Sequence, residues 1–211
     1  MAIQKNGPHG KVSGKLGKLV FYDLNGVNVA RVNGVNKAPA SINQLVVRQR
    51  MEVISLLLSL SNAFIKVGFL SSIKGTNRNQ HNEATSYNLK NALKGTYPNI
   101  EIDYPKVLLS DGPLDAPINV RLQKSTNAIE LTWDMDPAGD GHAGENRSMV
   151  HVVFPVLNKS FTFFNEAKRS DGKFTQELPS EMLTSQVEVY LAFSDLSTNS
   201  TSPSVWALPI S

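Results

Sequence analysis

Cysteine is absent from this chain of 211 residues, so neither a disulfide framework nor a thiolate zinc site can be built. Histidine is scarce as well. The four residues His9, His81, His142 and His151 are scattered, and none stands at i, i+4 from another ligand, which gives no support to zinc. Long hydrophobic runs are missing. The longest apolar stretch, 53–65, is interrupted by Ser55, Ser59, Ser61 and Asn62, short of the about 20 apolar residues that span a bilayer. The opening Met1-Ala2-Ile3-Gln4-Lys5-Asn6-Gly7 lacks the apolar core of a secretory signal. The expectation is a soluble protein made in the cytoplasm, which would reach any outside location by assembly or lysis.

Recognisable catalytic motifs are lacking too. The segment Gly10-Lys11-Val12-Ser13-Gly14-Lys15-Leu16 invites a phosphate-loop reading and fails it. That loop needs four residues between its glycines and a Ser or Thr after the Lys, to wrap a phosphate in amides and hold magnesium. Here three residues intervene and Leu16 follows. No nucleophile-elbow motif is present. The expectation is a protein that is not an enzyme, with no catalytic residue, no cofactor and no metal.

What is present is a basic, glycine-rich front. The first fifty residues carry eight Lys and Arg against the single acid Asp23, a net +7, while residues 51–211 carry a net −4. Gly7, Gly10, Gly14 and Gly17 form a ladder in which the absent side chains permit close backbone approach. Residues 18–32 read as a β-hairpin, because Asn25-Gly26 between runs of β-formers supplies two residues that tolerate positive φ. Gly10, Gly14, Lys15, Gly17, Lys18, Phe21, Tyr22, Asn25, Gly26 and Arg31 are therefore the candidate docking residues. Split charge of this kind suits contact between copies, contact with an acidic partner, or contact with nucleic acid.

Further along, Ser41 with Gln44 has capping-box spacing and predicts a helix to about Leu60 or Ser61, followed by a short turn or second helix over 62–67 that Gly68 stops. A second main helix is expected over 83–94 with Gly95 as its C-cap, then strands over 100–104 and 106–109. Asp111-Gly112-Pro113 reads as a boundary between an α+β domain at 1–110 and a β-sandwich at 117–211. The sandwich is predicted from short strands at 119–122, 128–133, 149–154, 160–164, 173–177, 186–193 and 204–208. Trp133 is expected in its core. Trp206 is read as core or exposed anchor, and Phe161, Phe163 and Phe164 as able to leave one ring outward. The polar loop holding Asp134, Asp136, Asp140, His142 and Glu145 is the candidate ligand loop. Its spacing departs from a calcium loop, since Ala138 falls at a ligand position from either possible start.

Two resemblances add to this. Pro117-Ile118-Asn119-Val120, Ile129-Glu130-Leu131-Thr132-Trp133 and Val187-Glu188-Val189-Tyr190-Leu191-Ala192 resemble the first two strands and the long penultimate strand of a fibronectin type III (immunoglobulin-like) sandwich. Ser185 and Gln186 stand where that fold carries its tyrosine corner. The segments Ser13–Val20, Gly26–Arg31, Pro39, Gln44, Arg48, Arg50, Gly68-Phe69 and above all Ser86–Ala92 with Gly95–Asn99 resemble an uncharacterised family of about 200-residue proteins from Bacteroidota and their phages. That resemblance implies an architecture and a bacterial setting, without a chemistry.

These observations lead to the expectation of a non-enzymatic structural subunit that self-assembles or docks onto a filament, sheath or virion through its N-terminal arm, with other protein subunits as partners and no membrane span. The alternatives are a carbohydrate or surface-ligand module using the sandwich loops, and nucleic-acid binding by the basic arm.

Overall fold

The computed structural model describes residues 2–4, 10–34, 38–135 and 145–210. The chain divides into two compact units, Met1–Ser41 and Ile42–Ser211.

The first unit is one antiparallel sheet of four strands in chain order: β1 (Ala2–Gln4), β2 (Val12–Leu16), β3 (Leu19–Leu24) and β4 (Val27–Val32). The predicted hairpin is β3–β4, with Leu24 opposite Val27. Asn25 (φ 51°) and Gly26 (φ 91°) both take the left-handed conformation that a two-residue turn between twisted strands requires.

The second unit begins with α1 (Ile42–Leu60) and α2 (Asn62–Gly68), close to expectation. Helix α3 runs Gln80–Asn91. It starts earlier than the sequence suggested because the Asn79 side chain accepts a hydrogen bond from the His81 N–H at 2.8 Å. It also ends earlier, because Leu93 opens a small hairpin, β5 (Leu93–Thr96) with β6 (Asn99–Ile102). Gly95 (φ 81°) lies in that hairpin and is not a helix cap. Residues 106–109 form no strand, and a single 3-10 turn covers Tyr104–Lys106.

Two sheets follow. One has the order β11 (Lys173–Glu177), β8 (Ala128–Asp134), β7 (Ile118–Lys124), β15 (Leu208–Ile210). The other has the order β10 (Lys159–Lys168), β9 (Arg147–Phe154), β12 (Glu188–Asp195), β13 (Ser200–Thr201), with β14 (Val205–Trp206) also on β12. The last expected strand is thus broken in two. β14 pairs with β12, the chain turns at the buried Ala207, and β15 pairs parallel with β7 in the opposite sheet. Val120, Leu122, Ile129, Leu131, Trp133, Val150, Val152, Phe154, Val189, Leu191 and Phe193 fill the space between the sheets.

The expected boundary at 111–113 is a correction. Strands β9 and β12 are buried on both faces. Their alternate residues Met149, Val153, Tyr190 and Ala192 leave the sandwich core and pack with Ile54, Leu57, Leu58, Phe64, Ile65, Phe69 and Ala84 of the helical segment. Helices, sheet and sheet therefore make three layers of one unit. The segment 108–110, just before 111–113, is tied on both sides. Ser110 Oγ donates to Gly68 O (3.1 Å) and Ser202 O (2.7 Å), and Ser204 Oγ accepts from Leu109 N–H (2.8 Å). Asn88 clamps the same stretch, donating to Leu108 O and accepting from Leu108 N–H at 2.7 and 2.9 Å. Gly68 is more than a helix stop. A Cβ there would lie 2.7 Å from Ser110 Cβ and 2.8 Å from Leu109 O, so the helix end can approach this segment only as glycine.

Candidate docking surface

In the first unit, antiparallel register fixes which side chains share a face. Leu16, Leu19, Phe21, Ala30 and Val32 point one way, with Asp23 and Asn28 at one end. Lys15, Val20, Tyr22, Leu24, Val27, Val29 and Arg31 point the other way. Both faces therefore carry large apolar side chains, and no described residue of this unit is buried. Leu16, Val27 and Val32 are each more than 60% exposed.

Each candidate docking residue has a definite place. Gly17 (φ 58°) and Lys18 form the tight turn between β2 and β3. Gly14 (φ 107°) stands inside β2, and the chain before it is tied down separately. Lys11 Nζ bonds to Asp23 Oδ2, and the Asn28 side-chain amide donates to Val12 O (2.8 Å) and accepts from Val12 N–H (3.1 Å). Gly10 precedes this stretch and is half-buried. Gly17 and Gly26 have open space where a Cβ would stand. Within the chain itself, what these two turn positions require of glycine is thus positive φ, as expected for Gly26 in its Asn-Gly turn. Asp23 Oδ1 also accepts the Gly26 N–H at 2.7 Å, and the Lys11 ammonium together with this bond holds its carboxyl below the usual range. The Arg31 guanidinium lies 5.9 Å from the centre of the Tyr22 ring on the same face. Phe21, opposite Gly14 on one side and Ala30 on the other, is the largest side chain of its face.

The candidate ligand loop does not gather into one described site. Asp136, Asp140 and His142 lie outside the described residues. Asp134 ends β8 and accepts from the Asn119 side chain. Glu145 pairs with Lys168 at 2.8 Å, which holds its carboxyl below the usual range. Among the described residues no group of three His, Asp or Glu could hold a metal ion.

One constellation was missed in the sequence. His151 on β9 contacts Ser61 Oγ through Nε2 (2.9 Å) and Thr162 Oγ1 through Nδ1 (2.8 Å). Ser61 Oγ spends its proton on Leu57 O (2.9 Å), so Nε2 donates and Nδ1 accepts, which is the neutral ring. Burial depresses the imidazole to about 4. Both Ser61 and His151 are completely enclosed, so this serine and histidine form a polar peg between helix and sheet, closed to substrate. The only sequence signal was a histidine in the apolar run of β9. Trp133 fills the sandwich core as expected, donating Nε1–H to Arg169 O at 2.9 Å and meeting Phe193 edge-on at 5.6 Å. Trp206 is partly buried and donates Nε1–H to Glu188 at 2.6 Å.

One cleft, of about 780 Å³, is lined by Leu70, Ile73, Lys74, Pro113, Thr198 and Asn199 among others. Among the described residues Lys74 is the one titratable side chain on its wall, and no described acid–base pair faces it. Among the described residues no single helix is long and apolar enough to cross a membrane.

Comparison with known proteins assigns no chemistry. The profile of the family of unknown function DUF6266 matches residues 10–206, and the chain belongs to that family. None of the curated proteins compared matches it. Among solved structures, the solution structures of the fn3 domain of human contactin 1 are similar at 11% identity, covering 48% of this chain and 84% of that one, with a TM-score of 0.26. The helix-containing region followed by a β-sandwich is established here by the strand order itself.

Proposed function

We propose that this protein is a non-enzymatic structural subunit that docks through its N-terminal sheet onto other subunits of a larger particle, such as a filament, sheath or virion. One observation carries the reading. The sheet of β1–β4 has apolar side chains on both faces and, among the described residues, none that is buried, while both hydrophobic cores lie within Ile42–Ser211. A few strands without a packed face are marginal in water, and exposed apolar faces of this kind mark interaction sites. The bacterial and phage setting suggested by the sequence resemblance fits such a role and belongs to this proposal.

The test compares the full chain with residues 42–211, which contain every core side chain and so should fold alone. Size-exclusion chromatography and negative-stain microscopy should show regular assemblies for the full chain and monomers for the shorter one. A full chain that stays monomeric at high concentration would count against the proposal. Binding to DNA that falls steeply with salt, and is lost when Lys15, Lys18 and Arg31 are neutralised, would favour a nucleic-acid arm instead.

A further inference from the structure

We infer that β4 of one copy pairs antiparallel with β4 of a second copy about a two-fold axis at Ala30, joining two four-stranded sheets into one of eight strands. This rests on the docking reading above and names its partner, another copy of this chain.

The register of the hairpin supplies the argument. A two-residue turn makes Leu24–Val27 the first hydrogen-bonded pair, and bonding then alternates along the strands. The main-chain groups of Val27, Val29 and Arg31 are therefore spent on β3. The Asn33 N–H, which donates to Lys18 O at 2.7 Å, continues that set. The N–H and C=O groups of Asn28, Ala30 and Val32 point away from the sheet, and β4 is its edge among the described strands.

Edge strands are commonly blunted by proline, a bulge or an inward charge. The sequence Val27-Asn28-Val29-Ala30-Arg31-Val32 has no proline, and its pairing with β3 is unbroken over all six residues. Its one charge, Arg31, leans toward Tyr22.

The strand is also complementary to itself. Antiparallel pairing centred on Ala30 sets Asn28 opposite Val32 of the second copy and Val29 opposite Arg31. All the outward main-chain groups of the three residues are then used, in about six hydrogen bonds. Arg31 meets a valine, so like charges are not opposed. The small Ala30 side chain leaves room at the axis. A two-fold normal to the sheet keeps the Phe21 faces of both copies on one side.

Area points the same way. One face of four strands and about five residues covers about 330 Å², against about 800 Å² per partner in a stable interface. The joined sheet offers about 650 Å² of one continuous face, with Leu16, Leu19, Phe21 and Val32 of both copies on it, which approaches that need.

The absence of cysteine makes the test direct. In the full chain, A30C should form a disulfide-linked dimer under mild oxidation, because paired Cα atoms stand about 5.5 Å apart, within disulfide reach. N28C alone and V32C alone should not cross-link, since each lies about 13 Å or more from its own equivalent. An equimolar mixture of N28C and V32C should cross-link. Ala30→Pro, which removes only an outward N–H, should abolish the dimer in sedimentation.

A30C dimer no more abundant than N28C dimer, or a mixture no better than its components, would overturn the inference. If those cross-links are absent while removal of residues 1–41 still abolishes assembly, the docking reading stands and only the partner named here is wrong. If removal of residues 1–41 leaves assembly intact, both fall.

Discussion

The two units use the same β-forming side chains and differ in what those side chains touch. Phe193 on β12 is fully enclosed, with Trp133 edge-on at 5.6 Å and the Arg169 guanidinium 4.7 Å from its ring centre. Phe21 on β3 sits at the middle of a sheet with no described buried residue. Residues 42–211 close two cores around β9 and β12, so their strands need nothing from outside. Residues 2–32 have turn chemistry and register but, among the described residues, no core. A chain in this state has fixed its strand order locally and left the burial of its apolar faces to something else.

That contrast can be broken by matched substitutions. The largest effect should come from Phe193→Ala, at about 3–5 kcal/mol of unfolding free energy, because it opens a cavity and strips the aromatic face from a buried Arg169. Phe21→Ala should leave the denaturant midpoint of the 42–211 unit unchanged and act on assembly alone. A large loss of global stability from Phe21→Ala would mean that the first unit has a core after all.

Acid should act next, and between about pH 6.5 and 4 it acts through His151 of the second unit. His151 is neutral when folded, with its pKa near 4, and protonates near 6.5 when unfolded. Between those values the unfolded state binds the extra proton. The stability that depends on the neutral ring is complete above about pH 6.5, declines as pH falls toward 4, and changes no further below. The span is worth about 3 kcal/mol. His151→Gln should flatten the urea midpoint against pH over this window, and an equally steep profile in that variant would exclude His151 as the cause.

Glycines give the smallest contrast. Gly68→Ala places a Cβ 2.7–2.8 Å from Ser110 and Leu109 O and should cost about 1–3 kcal/mol as overpacking. Gly17→Ala meets open space but must hold φ 58°, about 1 kcal/mol of local strain confined to the arm. Thermal unfolding of the 42–211 unit within the full chain should register the first and not the second.

Much of this was legible in the sequence where the signal is local. The Asn25-Gly26 turn, the Ser41 helix start and the spacing of the sandwich strands each depend on neighbours within a few residues. Long-range burial was not legible. The run Val150-His151-Val152-Val153-Phe154 reads equally as a strand with one dry face or two. Only the helices packed on Met149 and Val153 decide it, and with it the false boundary at 111–113. The His151–Ser61 peg joins positions ninety residues apart, a separation no motif reports. The docking surface was legible as a basic, glycine-bearing hairpin. Its defining property, apolar side chains on both faces without a core, depends on register.

Hydrogen exchange across a concentration series tests the central claim most directly. In dilute monomer, the amides of β2, β3 and β4 should exchange with little protection, while those of β9 and β12 exchange only on global opening. On assembly, the β2–β4 amides should become protected, with the outward Ala30 and Val32 amides among them, and β9 and β12 should not change. Strong protection of β2–β4 already in the monomer, or none gained on assembly, would contradict the account.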